Sequence, residues 1–238
     1  MSVTYQSEEL DTLAMAERYQ EWIAEQFQPY LSGNIMELGA GIGTMAQRWE
    51  PYAEQLYLIE PAENLYPLLE ARFERNPKAH LYRGVLENIL GRGDAPQRSS
   101  VNVVILINVL EHIEHDGEAL SRLHDLLVPE GYLLIFVPAM PSLYGSLDKK
   151  FGHFRRYTKS ALTALGRQAG YQTIRLDYFD MLGVLPWWFV NCVLKSEQVS
   201  SGMTRLYDRC VVPIGRCIER HMTFPFGKNL IYVARKPA

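Results

Sequence analysis

Cysteine is scarce in this chain of 238 residues. The three present, Cys192, Cys210 and Cys217, nowhere show the Cys-x-x-Cys spacing of a zinc or redox site. Three thiols cannot all pair, so reduced, buried side chains are expected. Long apolar runs are missing too. The longest, Met181 to Leu194, has 14 residues, short of the roughly 20 that a spanning helix needs. This argues against stable membrane insertion and leaves a buried or lid helix, with an interfacial role as the second reading because Trp187, Trp188 and Phe189 suit a lipid headgroup region. No basic run stands out: 24 Lys and Arg against 27 Asp and Glu give a net charge of −3 and a pI near 6.1. That balance lacks the electrostatic footprint of a nucleic-acid binder, and no nucleic-acid partner is expected. The first residues carry Glu8, Glu9 and Asp11 where a secretory leader would place bases and then an apolar block. The chain is therefore read as cytoplasmic.

What is present suffices for a core. Hydrophobic residues make up 47%, aromatics 11% and charged residues 21%, which excludes disorder and suits one domain, residues 1–238. A first helix is predicted from Ser7, with Leu10, Leu13, Ala16, Tyr19, Ile23 and Phe27 at helical spacing, to Pro29. It makes a lead-in over residues 1–30. Ile35 to Leu38 reads as a strand, Thr44 to Trp49 as a helix, Leu56 to Ile59 as a strand, and Ala62 to Arg75 as a helix. Strands near His80 to Val85, at Val101 to Ile107 and at Tyr132 to Val137 continue the alternation, with a helix from Asp116 to Leu127 before the last of them. The run Val101 to Ile107 is apolar but for Asn102, as expected of a central parallel strand covered on both faces. Alternation of this kind predicts an α/β, doubly wound, mostly parallel sheet whose ligand lies beyond the strands' C-terminal ends. Lys159 to Ala169 then reads as a helix, with strands at Thr173 to Tyr178 and Asn229 to Arg235. Residues 183–228 are too long for a plain connection and are read as a helical roof.

The chemistry gathers at two strand ends. Gly39, Gly41 and Gly43 follow the first strand and open a helix, letting a ligand approach the backbone where side chains would collide with it. Glu60 closes the second strand, where a carboxylate can accept both hydroxyl protons of a ribose. A dinucleotide-binding dehydrogenase would want a third glycine where Thr44 stands. Glu37 beside the loop also disfavours a pyrophosphate and favours a cationic ligand group.

In these residues the chain resembles the class I S-adenosylmethionine-dependent methyltransferases that act on small molecules. Met36-Glu-Leu-Gly-Ala-Gly-Ile-Gly-Thr44 is similar to their first motif, Leu58-Ile-Glu-Pro61 to the ribose-binding segment, and Ile107-Asn-Val-Leu-Glu-His-Ile113 to the motif after the fourth strand. The resemblance implies a seven-stranded Rossmann-like sheet with its last strand antiparallel. It also implies S-adenosyl-L-methionine as cofactor, S-adenosyl-L-homocysteine as product and a small-molecule acceptor. By the same resemblance Glu37, Gly39, Ala40 and Gly41 would surround the methionine end, Glu60 and Pro61 the ribose, and Leu86 and Glu87 the adenine; Asn108 and Val109 would offer backbone nearby. Many relatives carry Asp-Leu-type pairs where this chain has Leu86-Glu87.

Methyl transfer from a sulfonium is an in-line displacement, so alignment and exclusion of water matter most. A base helps when the acceptor must shed a proton, and histidine suits that task near neutral pH. His112 follows the fourth strand. His153 lies in Gly152-His-Phe-Arg-Arg-Tyr157, which resembles an element in one branch of these enzymes. His153 is the first candidate to orient or deprotonate the acceptor, then His112, with Tyr19 behind them. Arg155, Arg156 and Tyr157 are candidate acceptor contacts, the arginines suiting an anionic group. Tyr144, Trp187, Trp188 and Phe189, with Tyr19 and Trp22, are candidates to line an apolar acceptor cavity. No metal is expected: some relatives carry Glu-x-x-Glu-His at this strand end, whereas here Asn108 replaces the first glutamate and Glu111, His112 and His115 form an incomplete set. The expected activity is methylation of a small aromatic or apolar acceptor, an electron-rich aromatic carbon such as an indole being one candidate. The alternatives are a cofactor-binding regulator without turnover, an O- or N-methyltransferase of a lipid-like or quinone-like acceptor, an RNA methyltransferase and a nucleotide-dependent oxidoreductase. The last two are disfavoured by the charge balance and by Thr44 respectively.

Overall fold

The computed structural model describes residues 16–198 and 200–238. Ser7, Leu10 and Leu13 of the predicted first helix lie outside them. The rest of that helix is α1, Glu17–Phe27, preceded by a buried Ala16; Tyr19, Ile23 and Phe27 are buried on one face as their spacing predicts. The sheet contains β1 (Gly33–Leu38), β2 (Ala53–Glu60), β3 (Ala79–Arg83), β4 (Val101–Ile107), β5 (Leu127–Pro138), β6 (Gln172–Phe179) and β7 (Asn229–Arg235). Their order is β3-β2-β1-β4-β5-β7-β6, with β7 antiparallel to both its neighbours and the pairs among β1 to β5 all parallel. The strand order reverses between β1 and β4, which opens a crevice at their C-terminal ends.

Two-residue alternation divides the core. Val103 and Ile105 face one layer and Val104 and Leu106 the other, and β5 splits the same way, with Leu134 and Phe136 against Leu133, Ile135 and Val137. Each such large side chain contributes about 1.5–3 kcal/mol on burial, so β4 and β5 form the rigid centre from which the site projects. One layer is closed by α1 with α2 (Ala46–Trp49) and α3 (Tyr66–Phe73), the other by α4 (Leu86–Ile89), α5 (Asp116–Leu126) and α7 (Lys159–Gln168). The five-residue α6, Ser146–Lys150, lies between β5 and α7. Asn102, the polar residue of β4, accepts from the Asn34 amide at 2.8 Å and ties the starts of β1 and β4 together.

Several boundaries differ from the sequence reading. The helix after β2 starts at Tyr66 rather than Ala62, because the Ala62 amide donates to Glu60 and its carbonyl closes a turn with Leu65 and Tyr66. The fifth strand starts at Leu127, directly after α5, so Pro129-Glu-Gly131 falls inside it. The stretch expected as a buried or lid helix is α8 (Val184–Trp188) continued by a π turn over Phe189–Val193, with its outer side exposed. A second cap rod follows as α9 (Ser201–Leu206), a π turn over Tyr207–Val211 and α10 (Val212–Glu219). The thiols also depart from expectation: Cys192 is partly buried and Cys210 and Cys217 are exposed, because both face outward from this rod. Among the described residues no helix is long and apolar enough to cross a membrane.

Candidate active site

The glycine loop leaves β1 with Gly39, Gly41 and Gly43 all at positive φ, 72°, 57° and 81°. A Cβ on Gly39 would lie 2.4 Å from Val109 Cγ2, and one on Gly43 would lie 2.6 Å from Phe73, so packing as well as backbone conformation requires glycine there. Glu60 holds the loop from the end of β2. Its carboxylate accepts from the Gly41 and Ala62 amides, each at 2.7 Å, and burial raises its pKa against the pull of those two donors. Glu37, at the end of β1, accepts from the Trp49 indole N–H at 2.9 Å. Burial pushes its pKa up to about 8, the Trp49 hydrogen bond opposes that shift, and the Glu60 charge adds to it. These residues suit a donor carrying a ribose and an ammonium. Each Glu60 oxygen, already accepting from one amide, has a second lone pair.

Non-glycine residues at positive φ follow three strands that end at the same edge of the sheet: Asn108 after β4, Met140 after β5 and Asp180 after β6. Backbone strain of this kind, about 1–3 kcal/mol per residue, persists where the surrounding structure enforces it. At that edge lies a cavity of about 810 Å³, lined by Tyr19, Asn108, Glu111, His153, Arg156, Trp187 and Lys228 among others. His153 Nδ1 stands 3.0 Å from Asp148 Oδ1, which also accepts from Arg156 Nε at 2.7 Å. Asp148 is fully buried, which raises its pKa. The hydrogen bond from His153, the Arg156 charge, Asn191 and the Gly145 amide outweigh that and hold the carboxyl below its ordinary value. With Asp148 ionised, His153 donates its Nδ1–H to that carboxylate, which fixes the ring with Nε2 on its far side.

Tyr19, Asn108, His153, Arg156 and Trp187 thus meet at one cavity. Arg156 is pinned there by Asp148 and the Ala139 carbonyl, with its guanidinium 5.1 Å over the Trp187 ring. His112 stands behind His153, ring edge to ring face at 4.7 Å. Tyr144 is not part of the cavity lining; its hydroxyl donates to the His153 carbonyl at 2.7 Å and braces the loop. Tyr157 is buried and donates to Asp116 at 2.8 Å, and Arg155 joins the same carboxylate, so both fasten the segment to α5. Trp188 lies on the outer face of the cap and Trp22 packs on Phe179 at 4.0 Å. Gly39, Ala40, Gly41, Glu37, Glu60 and Pro61 sit together at the β1 and β2 ends, linked to the cavity through Val109 and Asn108. Leu86 is packed in the core beside Tyr82 and Ile89, and Glu87 is exposed, 4.0 Å from Arg122.

The sequence reading passed over Asp148, Asn191, Glu111 as a cavity residue, and Lys228. Asp148 lies five residues before His153, a spacing that a short helix folds back into contact. Lys228 left no signal, since its ammonium reaches Asp180 at 2.9 Å and the faces of Tyr19, Trp187 and Tyr207 only through the tertiary fold. One ligand atom from each of Glu111, His112 and His153 lies within 4.8 Å of the others, so His153 rather than His115 joins the pair from the β4 end.

Residues 12–176, more than half of the sequence, match the family described as a methyltransferase domain. The chain belongs to that family. The chain is 24% identical over 106 residues to the uncharacterized methyltransferase C1347.09 of Schizosaccharomyces pombe, a match covering 43% of the chain and 37% of the yeast protein. It spans little more than a third of that relative. In fold it is similar to an S-adenosylmethionine dependent methyltransferase from Mesorhizobium loti (TM-score 0.61, 12% identity, 91% and 98% of the two chains covered). It is likewise similar to a Haloferax volcanii chain from a complex with the Trm112 methyltransferase activator (TM-score 0.67, 13% identity, 100% of both covered). The seven-stranded order and the antiparallel β7 are those of the class I S-adenosylmethionine-dependent enzymes that the motifs resemble. The cap and β7 of the chain lie beyond the family match.

Proposed function

We propose that this methyltransferase transfers a methyl group from S-adenosylmethionine to an apolar acceptor held under the cap, with His153 receiving the acceptor's proton. The observation that carries the reading is the buried Asp148–His153 pair, whose histidine lines a cavity at the switch-point edge of the sheet. When bound, the donor supplies an electrophilic methyl on a cationic sulfur. The glycine loop would let the donor approach the protein backbone, Glu60 would hold its ribose, and Glu37 would face its positive methionine end. Asp148 fixes the imidazole ring and stabilises the imidazolium that forms as Nε2 takes a proton. Tyr19, Phe136 and Trp187 exclude water from the reacting atoms and suit a planar or alkyl acceptor.

His153→Ala should lower turnover by about 10²–10⁴-fold, the usual contribution of a positioned base, while S-adenosylmethionine affinity stays within about twofold. Calorimetry reads the affinity, and labelled methyl transfer across an acceptor panel reads turnover. Unchanged turnover would remove His153 from the mechanism; tight donor binding with no product from any acceptor would favour a regulator that only binds. A metal-assisted route is the second reading, favoured by the Glu111, His112 and His153 cluster with Asp148 behind the His153 ring. Full activity after exhaustive chelation would dismiss it.

A further inference from the structure

The cap is built with its apolar side outward. Along the second rod Met203, Leu206, Cys210, Ile214 and Cys217 recur every three or four residues, and all are exposed, Met203, Leu206 and Ile214 at 59%, 63% and 56%. Asp208, Val212 and Gly215, on the opposite side of the same rod, are buried. Arg205, Arg209 and Arg220 follow one edge of the stripe and are exposed. On the first cap helix Leu185, Trp188, Phe189 and Val193 repeat the pattern, again exposed. The two stripes meet at the mouth of the acceptor cavity, where Phe189, Leu194 and Met203 are both half-exposed and part of its lining. The cavity therefore runs from His153 at the sheet edge to an apolar lip.

We propose that this outer face docks on an anionic lipid surface, from which an amphiphilic acceptor enters the cavity head first. An outward apolar stripe edged with arginine, with Trp and Phe beside it, is the arrangement of a helix lying in a headgroup layer. Charge agrees: Lys195, Arg205, Arg209 and Arg220 are exposed on the cap against Glu197 among its acidic residues, whereas the whole chain has a net charge of −3. Basic side chains on such a face are attracted to anionic headgroups. A second copy fits less well, since a two-fold contact would set the arginines of one cap against those of the other. The route of acceptor entry rests on the methyltransferase reading above; the docking face does not.

Co-sedimentation of the full chain with vesicles tests the surface without a donor. Pelleting with phosphatidylcholine vesicles containing phosphatidylglycerol should exceed that with phosphatidylcholine alone by roughly tenfold in apparent affinity, and should fall with added salt. Leu206→Asp with Ile214→Asp, both exposed and neither lining the cavity, should abolish pelleting with an unchanged melting temperature. No pelleting above a vesicle-free control, or equal pelleting by both vesicles, would overturn the proposal. So would a concentration-dependent dimer that the double variant dissociates, which would assign the face to a second copy. A failure of S-adenosylmethionine uptake would overturn the functional reading and leave the vesicle result untouched.

Discussion

At the scale of single residues, the sign of one titration gives a direct test of where the donor sits. Glu37 has its pKa raised from 4.5 to about 8, chiefly by burial, so at pH 7 it is mostly protonated. The stability it contributes is complete below about 4.5 and is lost as pH rises through about 8. An ammonium placed beside it favours the carboxylate and draws the pKa down. Donor uptake at pH 7 should therefore release a proton, seen as a binding enthalpy that varies with the ionisation enthalpy of the buffer. Glu37→Gln should remove that dependence and weaken uptake by about tenfold, the equivalent of one pKa unit. A wild-type enthalpy indifferent to buffer would place the cation elsewhere. The acidic residues at the strand ends were legible because their chemistry follows from strand order and from the glycines that they flank. The Trp49 indole on Glu37 and the two amides on Glu60 were not, since these contacts depend on loop and helix geometry.

At the scale of elements, one buried side chain of the cap reaches the Asp148 carboxylate. Asn191 sits in the π turn after α8, donates to the Leu143 carbonyl and to Asp148 Oδ2, each at 2.8 Å, and accepts from the Leu147 amide at 2.7 Å. Asn191→Ala strands these buried partners, at roughly 1–3 kcal/mol for each group left unsatisfied. The loss should appear first as faster hydrogen exchange across residues 184–193 and at the α6 amides, with β4 and β5 protected as before. Uniform acceleration through the sheet would mean that the cap and the core unfold as one unit. Strands β1, β4 and β5 were readable because both faces are covered and the sequence is continuously apolar. The cap was readable only as helical. Its outer stripe is as apolar as a core stripe, so periodicity could not tell which side faces solvent, and the burial assigned to its cysteines failed for the same reason.

At the scale of the whole molecule, the N-terminal helix, the cap and the last strand converge on the cavity. The first turn of α1 has no capping side chain of its own. Asp208 of the cap rod supplies one from across the fold, accepting from the Tyr19 amide at 2.9 Å and the Arg18 amide at 3.3 Å. A carboxylate there satisfies otherwise unpaired amides and faces the positive end of the helix. Tyr19, held in this way, accepts from Asn229 Nδ2 at 2.7 Å through its hydroxyl, and its ring lies 4.8 Å below the Lys228 ammonium. Asp208 thus couples the helix that forms one wall of the cavity to the rod that covers it. Removing the carboxylate by Asp208→Ala should cost about 1 kcal/mol, the usual loss of a helix cap, and accelerate exchange in both elements about fivefold. Because the cost falls on the closed arrangement, acceptor affinity should drop by a similar factor while S-adenosylmethionine affinity, set at the β1 and β2 ends, should not change. If donor and acceptor affinities fell together, the cap would have to act on the glycine loop as well, and the division of the site into a donor half built by the sheet and an acceptor half built by the cap would fail.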